Sequence, residues 1–468
     1  MIYRNRTISY LFLVYITPII LGIYVWVNHY ESPERTLLLL GITLLLFSRI
    51  CRVREDFDQI SVFKIVFLIR IIVLLVVYTL IWKERIESGT DGFDPSRYYY
   101  LAKSLIENGL DSSRIGLAYN YNGIIFWYAI LFILFGQNPI VALIANHFTT
   151  MIAALMMYDM LSDVLEGNTL SSKRRWIMLF LFTPEIMRYD VMSSREMICL
   201  FLYTGIVFLS MKIYFLNKSS LKYLMIEGLL LLGLALVRLV FVLPALFFIF
   251  IVVMKMINRR KAASIFFVTF TMLCIMLAFR WNSVLGSSVV NLLEPMSRAI
   301  SNSSSLELDA WSKNSIGRLL VIDSPVKLLL YAPLRMIAYL VEPLPQVYDY
   351  IISFVQLDFV ALLQEILDSG TSGIFIMCFP LLLASVMSFV SYSEEKRMYE
   401  IAFLIMLFVG ACGTSLIHTR YRIASILLLY VSAAMGSEVD TNIKRLSIVL
   451  SVFLAVGFGS FYGIYKTF

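Results

Sequence analysis

Asp94-Pro95-Ser96-Arg97-Tyr98-Tyr99-Tyr100-Leu101-Ala102 is a polar, aromatic stretch that follows three apolar runs, 8–28, 36–51 and 62–82. A helix needs about 20 apolar residues to cross a hydrocarbon core of about 30 Å, so the stretch falls in the first long polar loop between membrane spans. From Arg97 onward, Tyr98, Leu101, Ala102, Leu105 and Ile106 recur at helical spacing, with Lys103 and Glu107 facing away. That pattern predicts an amphipathic helix at the membrane surface, entered through Asp94-Pro95-Ser96. Asp94 then has two readings: a helix cap, or a carboxylate at the lipid–water boundary able to accept a proton from a nucleophile.

Apolar runs recur along the rest of the chain, near 119–135, 140–161, 176–187, 197–216, 223–254 (a hairpin), 262–281, 326–342, 346–366, 374–392, 399–417, 423–437 and 446–465. Of the 468 residues 60% are hydrophobic and only 15% charged, where a soluble domain carries about 25% charged residues. Mean hydropathy is +0.81. With lipid as solvent, backbone groups must be satisfied within each segment, which calls for helices. The expected fold is all-α: a polytopic integral membrane protein of about 13 transmembrane helices. Residues 1–468 form one transmembrane domain, interrupted by polar loops 83–118 and 282–325. The run at 8–27 is too long for a signal-peptide core and is read as an uncleaved span.

The net charge of +7 suits cytoplasmic loops and anionic headgroups and gives no reason to expect nucleic acid. Cys51, Cys199, Cys274, Cys378 and Cys412 lie in or beside apolar runs, which predicts no disulfide framework. His29, His147 and His418 are scattered, so no metal cluster or other cofactor is called for; one Asp with waters can still hold magnesium weakly.

Lys and Arg concentrate on the cytoplasmic side. Arg4, Arg6, Arg49, Arg52 and Arg54 set the N-terminus and the 52–61 loop inside, and loops 83–118 and 282–325 outside. Two full crossings between 119 and 161 would place Lys173-Arg174-Arg175 outside against that bias. Either one of the two segments dips without crossing, or the cluster breaks the rule.

Two further stretches concentrate charge between apolar runs. Pro184-Glu185-Ile186-Met187-Arg188-Tyr189-Asp190-Val191-Met192-Ser193-Ser194-Arg195-Glu196 packs ionisable groups where they are costly unless paired or wetted. Arg195 and Glu196 either pair with each other or serve a site on the same face as Asp94. His418-Thr419-Arg420-Tyr421-Arg422 sits in a short outer loop, where clustered cations suit an anion such as phosphate or snorkel to headgroups. Arg238 and Arg335 lie inside apolar runs, and Arg238 is a further phosphate-binding candidate.

Asp94-x-x-Arg97-Tyr98-x-x-Leu101-Ala102, followed by Leu105-Ile106-Glu107-Asn108-Gly109, resembles the first external loop of C-type (GT-C) glycosyltransferases. The likeness is to the aminoarabinose transferase and protein O-mannosyltransferase branch. Phe126-Trp127-Tyr128 through Phe135-Gly136, the Pro184 to Glu196 run and Arg420-Tyr421-Arg422 resemble later motifs of that branch. Pro95 stands where those proteins carry a second acid, and Glu196 where they have Asp.

The resemblance implies a GT-C-like helix bundle in a bacterial inner membrane, with its site on the outer face. It implies transfer of a sugar from a polyprenyl-phosphate donor to a glycan, lipid or protein acceptor. Asp94 and Glu196 would be the catalytic pair; Arg97, Tyr98, Arg195, Arg238, His418, Arg420, Tyr421 and Arg422 would bind substrate. A polysaccharide polymerase or ligase acting through loop 282–325, and a transporter or flippase of lipid-linked substrate, remain alternatives.

Overall fold

Apolar periodicity becomes helix wherever the computed structural model describes the chain: residues 16–30, 32–52, 57–88, 94–111, 122–165, 170–215, 221–238, 241–257, 325–341, 347–412 and 422–467. No strand occurs among these residues. The expected span 262–281, nearly all of loop 282–325, and His418, Arg420 and Tyr421 lie outside them. The described chain divides into two compact units, residues 1–152 with 186–198, and residues 153–185 with 199–468.

The first unit contains α1 (Ile16–Val27), α2 (Pro33–Arg52), α3 (Phe57–Val77), α4 (Lys83–Glu87), α5 (Asp94–Glu107), α6 (Asn122–Phe135) and the first half of α7 (Pro139–Val164). To these it adds the end of α9 (Pro184–Asp190) and the start of α10 (Glu196–Phe215). A π turn at Tyr78–Trp82 joins α3 to α4 and buries Tyr78, Ile81 and Trp82; such turns recur at functional sites. Tyr30 and Tyr78 both donate to the Glu87 carboxylate. Burial and that carboxylate raise the Tyr30 pKa above that of an ordinary phenol, so it stays a donor. Asn138 donates to Thr36 Oγ1 at 2.9 Å, tying the α6–α7 corner to α2.

In the second unit, α11 (Leu221–Val237) and α12 (Val242–Ile257) form the expected hairpin. Next come α13 (Pro325–Val341), α14 (Val347–Val355), α15 (Phe359–Met387), α16 (Glu394–Cys412), α17 (Ile423–Gly436) and α18 (Thr441–Thr467), with α8 (Leu170–Leu181) packed on α17. Here the span boundaries differ from expectation. The chain breaks at 356–358, where Leu357 takes φ +55° and Asp358 Oδ1 caps α15 by accepting from Ala361 N at 2.9 Å. The following 29 residues then run as one helix through Ser369-Gly370-Thr371-Ser372-Gly373, which reads as a gap between spans. It stays helical because its hydroxyls have partners: Ser369 with Tyr350 at 2.6 Å, Thr371 with Glu185 N at 2.8 Å, and Ser372 with Arg422 at 3.2 Å.

Four helices among the described residues are long and apolar enough to cross a membrane: Val62–Glu87, Pro139–Val164, Glu196–Phe215 and Phe359–Met387. The α6 helix has 14 residues. At about 1.5 Å per residue the described helix rises about 21 Å.

The end of α17 lies so close to α15 that a Cβ on Gly436 would stand 1.9 Å from the Leu381 carbonyl oxygen. Gly436→Ala should therefore cost about 1–3 kcal/mol or more through forced separation of the two helices. The thermal unfolding midpoint in detergent measures it, and an unchanged midpoint would contradict the close approach.

Candidate active site

Three elements of the first unit make up the candidate site, and two of them, α5 and the turn before α10, pack on α6. The first is α5, which buries Tyr98, Ala102 and Leu105 of the face its periodicity predicts, leaves Leu101 and Ile106 half-buried, and buries Tyr99 as well, while Arg97 is exposed. Tyr99 packs edge-on against Phe132 at 5.5 Å between ring centroids and donates to the Gln137 carbonyl at 3.0 Å. At the other end Ser96 Oγ donates to the Arg85 carbonyl at 2.5 Å, and the Tyr100 hydroxyl to the Glu87 carbonyl. These contacts fix the start of α5, where Asp94 is the first helical residue. The Asp94 side chain itself lies outside the described atoms.

The second element is the turn at 191–195 that leads into α10. Glu196 opens that helix and is 3% exposed, with Arg195 Nε 4.0 Å from its Oε1. Tyr128 on α6 donates to the Ser194 carbonyl at 2.7 Å and to Asn146 Oδ1 at 3.2 Å. Asn146 Nδ2 donates in turn to the Met192 carbonyl at 2.6 Å. The Tyr128 hydroxyl interacts electrostatically with both Glu196 and Tyr98. The phenol thus ties α6 to the turn that leads into α10. Tyr128→Phe takes the donor from the buried Ser194 carbonyl, so a loss of about 1–3 kcal/mol is expected. Equal stability of the variant in thermal unfolding would show that the phenol does not hold the turn.

The third element is cationic. The guanidinium of Arg188 stands 5.3 Å from the Trp82 ring centroid and that of Arg85 stands 5.2 Å from it. Arg85 and Arg97 are exposed, and Arg188 and Arg195 half-buried. Behind the turn, Arg70 on α3 pairs with Asp190, the last residue of α9; both are fully buried. Burial raises the Asp190 carboxyl above its usual range, and the Arg70 charge and Thr150 hydroxyl oppose that.

Of the residues singled out from sequence, Arg195 and Glu196 come together, while Arg97, Tyr98 and the backbone of Asp94 share α5, which packs on α6. Arg238 and Arg422 belong to the second unit. Arg238 is buried just past α11 with its guanidinium 5.2 Å from the Phe241 ring. Arg422 is 1% exposed and engages Glu185 at 2.6 Å, together with the Leu340 carbonyl at 3.1 Å. Arg335, also buried, donates to the Ala411 carbonyl at 2.8 Å.

Sequence reading missed Arg70, Trp82, Arg85, Tyr128 and Asn146. Arg70 carried a usable signal, since it sits mid-run in 62–82 just as Arg238 and Arg335 sit in theirs. Such a charge costs ~2.5–3.5 kcal/mol on insertion and so demands a partner. Among the described residues no group of three or more His, Cys, Asp and Glu side chains is gathered for a metal ion. No family model matches the chain, and no curated protein matches it.

Proposed function

We propose that the protein is a membrane glycosyltransferase that moves a sugar from a polyprenyl-phosphate donor to a glycan, lipid or protein acceptor at the outer membrane face. The supporting observation is that α6 packs on α5, the helix begun by Asp94, and through Tyr128 holds the turn that precedes Glu196, the second candidate acid. In this reading the acceptor hydroxyl attacks the anomeric carbon and gives its proton to Asp94, while the bond from that carbon to the phosphate oxygen breaks. Glu196 orients the acceptor, whereas Tyr98, 1% exposed, packs inside the protein and is not available to the sugar.

Negative charge grows on the departing polyprenyl phosphate, and guanidinium groups are suited to stabilise it. Arg97 and Arg195, both in the first unit, are proposed for that role. The full fold proposed is a GT-C-like bundle of about 13 crossing helices, some tilted, which leaves room for a lipid-facing groove to take the isoprenoid tail.

The test is to incubate the purified, folded protein in detergent with a panel of polyprenyl-phosphate sugars and acceptors. Release of polyprenyl phosphate with at least one donor is expected. No release from any donor, with the protein still folded, would overturn the reading.

A further inference from the structure

We infer that Arg70 and Asp190 are positioning residues of the candidate site, setting the turn that aims Arg195 and Glu196; their catalytic consequence rests on the transferase reading. Asp190 belongs to the same charged run as Glu196 but has a different task. It is 0% exposed, and both its carboxylate oxygens are engaged: Oδ2 accepts from Arg70 Nη1, and Oδ1 accepts from Thr150 Oγ1 at 2.6 Å.

Arg70 Nη1 also reaches His147 Nδ1 at 2.8 Å. A guanidinium only donates, so Nδ1 is the acceptor and the ring proton sits on Nε2, which donates to the Phe67 carbonyl at 3.0 Å. His147 is thereby a neutral strut between α3 and α7. Asn146 and Thr150, one turn apart on α7, hold the chain from 190 onward. Residue 190 is held through its side chain, 192 through its carbonyl by Asn146, and 194 through its carbonyl by Tyr128. The chain is fastened at every second residue up to the Arg195–Glu196 pair. A reacting group displaced by about 1 Å can cost about 100-fold in rate.

A buried ion pair can usually be replaced as a pair by apolar side chains of similar volume without loss of folding, whereas removal of one partner is severe. This separates positioning from stability. The double variant Arg70→Met/Asp190→Leu is compared with wild type by thermal unfolding, by hydrogen exchange of the 191–197 amides, and by kcat and KM for polyprenyl-phosphate release. Expected are a melting midpoint close to wild type, exchange at 191–197 about tenfold faster, and kcat lower by about 10–100-fold with donor KM little changed. Wild-type exchange and kcat in the double variant would overturn the inference.

Thr150→Val, which removes one hydrogen bond to Asp190 and no charge, gives a second reading should the double variant fail to fold. Faster exchange confined to 191–197 is expected, and unchanged exchange there would overturn the inference. Exchange does not depend on turnover. If wild-type protein releases no lipid phosphate, the transferase reading fails while the positioning of the turn is still decided.

Discussion

Asp94→Asn is expected to lower turnover of a polyprenyl-phosphate sugar by about 10²- to 10⁴-fold, the range for loss of a positioned general base, with little change in thermal stability. The substitution is chosen because Asn caps a helix about as well as Asp. Asp94 is the first residue of α5 and is followed by Pro95, so both a cap and a base are chemically reasonable there. An Asn keeps the cap and removes the proton acceptor. Measured kcat near wild type, with an unchanged melting midpoint, would leave Asp94 as a cap alone and take the base out of the mechanism.

The second large effect is on stability and lies in the second unit. Arg422→Met removes a guanidinium that is bonded through Nε to Glu185 at 2.6 Å and through Nη1 to the Leu340 carbonyl and Ser372 at 3.1 and 3.2 Å. It also removes the cation from the face of Phe375, 5.3 Å from the ring centroid. The Glu185 carboxylate, 4% exposed, then faces a site without that cation. Breaking a buried pair from one side costs about 3–5 kcal/mol, a large share of the 5–15 kcal/mol by which a folded chain is typically stable. Thermal unfolding in detergent should show a sharply lowered midpoint or little folded protein. Arg422→Met/Glu185→Gln should recover part of the loss. A single variant as stable as wild type would mean that this pair does not hold α15, α17 and the 184–185 segment together.

The two predictions draw on different kinds of information. The α5 helix was legible because its apolar face repeats with the helical period over residues 98–106, a pattern contained within one element. The α11–α12 hairpin was legible for the same reason. Pairings such as Arg70 with Asp190, 120 residues apart, and Arg422 with Glu185, 237 apart, leave no local trace. Only the cost of a charge inside an apolar run hints that a partner exists, and it does not name one.

Ser369-Gly370-Thr371-Ser372-Gly373 misled in the opposite direction. Its polarity reads as a loop, yet it is the middle of α15, made polar because Glu185, Tyr350 and Arg422 meet it there. Tyr128 was quoted only as part of an aromatic run. Its role comes from the turn at 191–195, which α6 meets only in the folded chain.

Which side of the membrane α5 begins on decides between use of an outer-leaflet, lipid-linked sugar and a protein that works toward the cytosol. Arg97 is exposed on α5 three residues from Asp94, so a thiol introduced there by Arg97→Cys, with the five native cysteines replaced, reports on that face. A membrane-impermeant maleimide should label it in intact cells to the same extent as after permeabilisation. Labelling that appears only once the membrane is opened would put Asp94 on the cytoplasmic side and contradict an outer-face transferase.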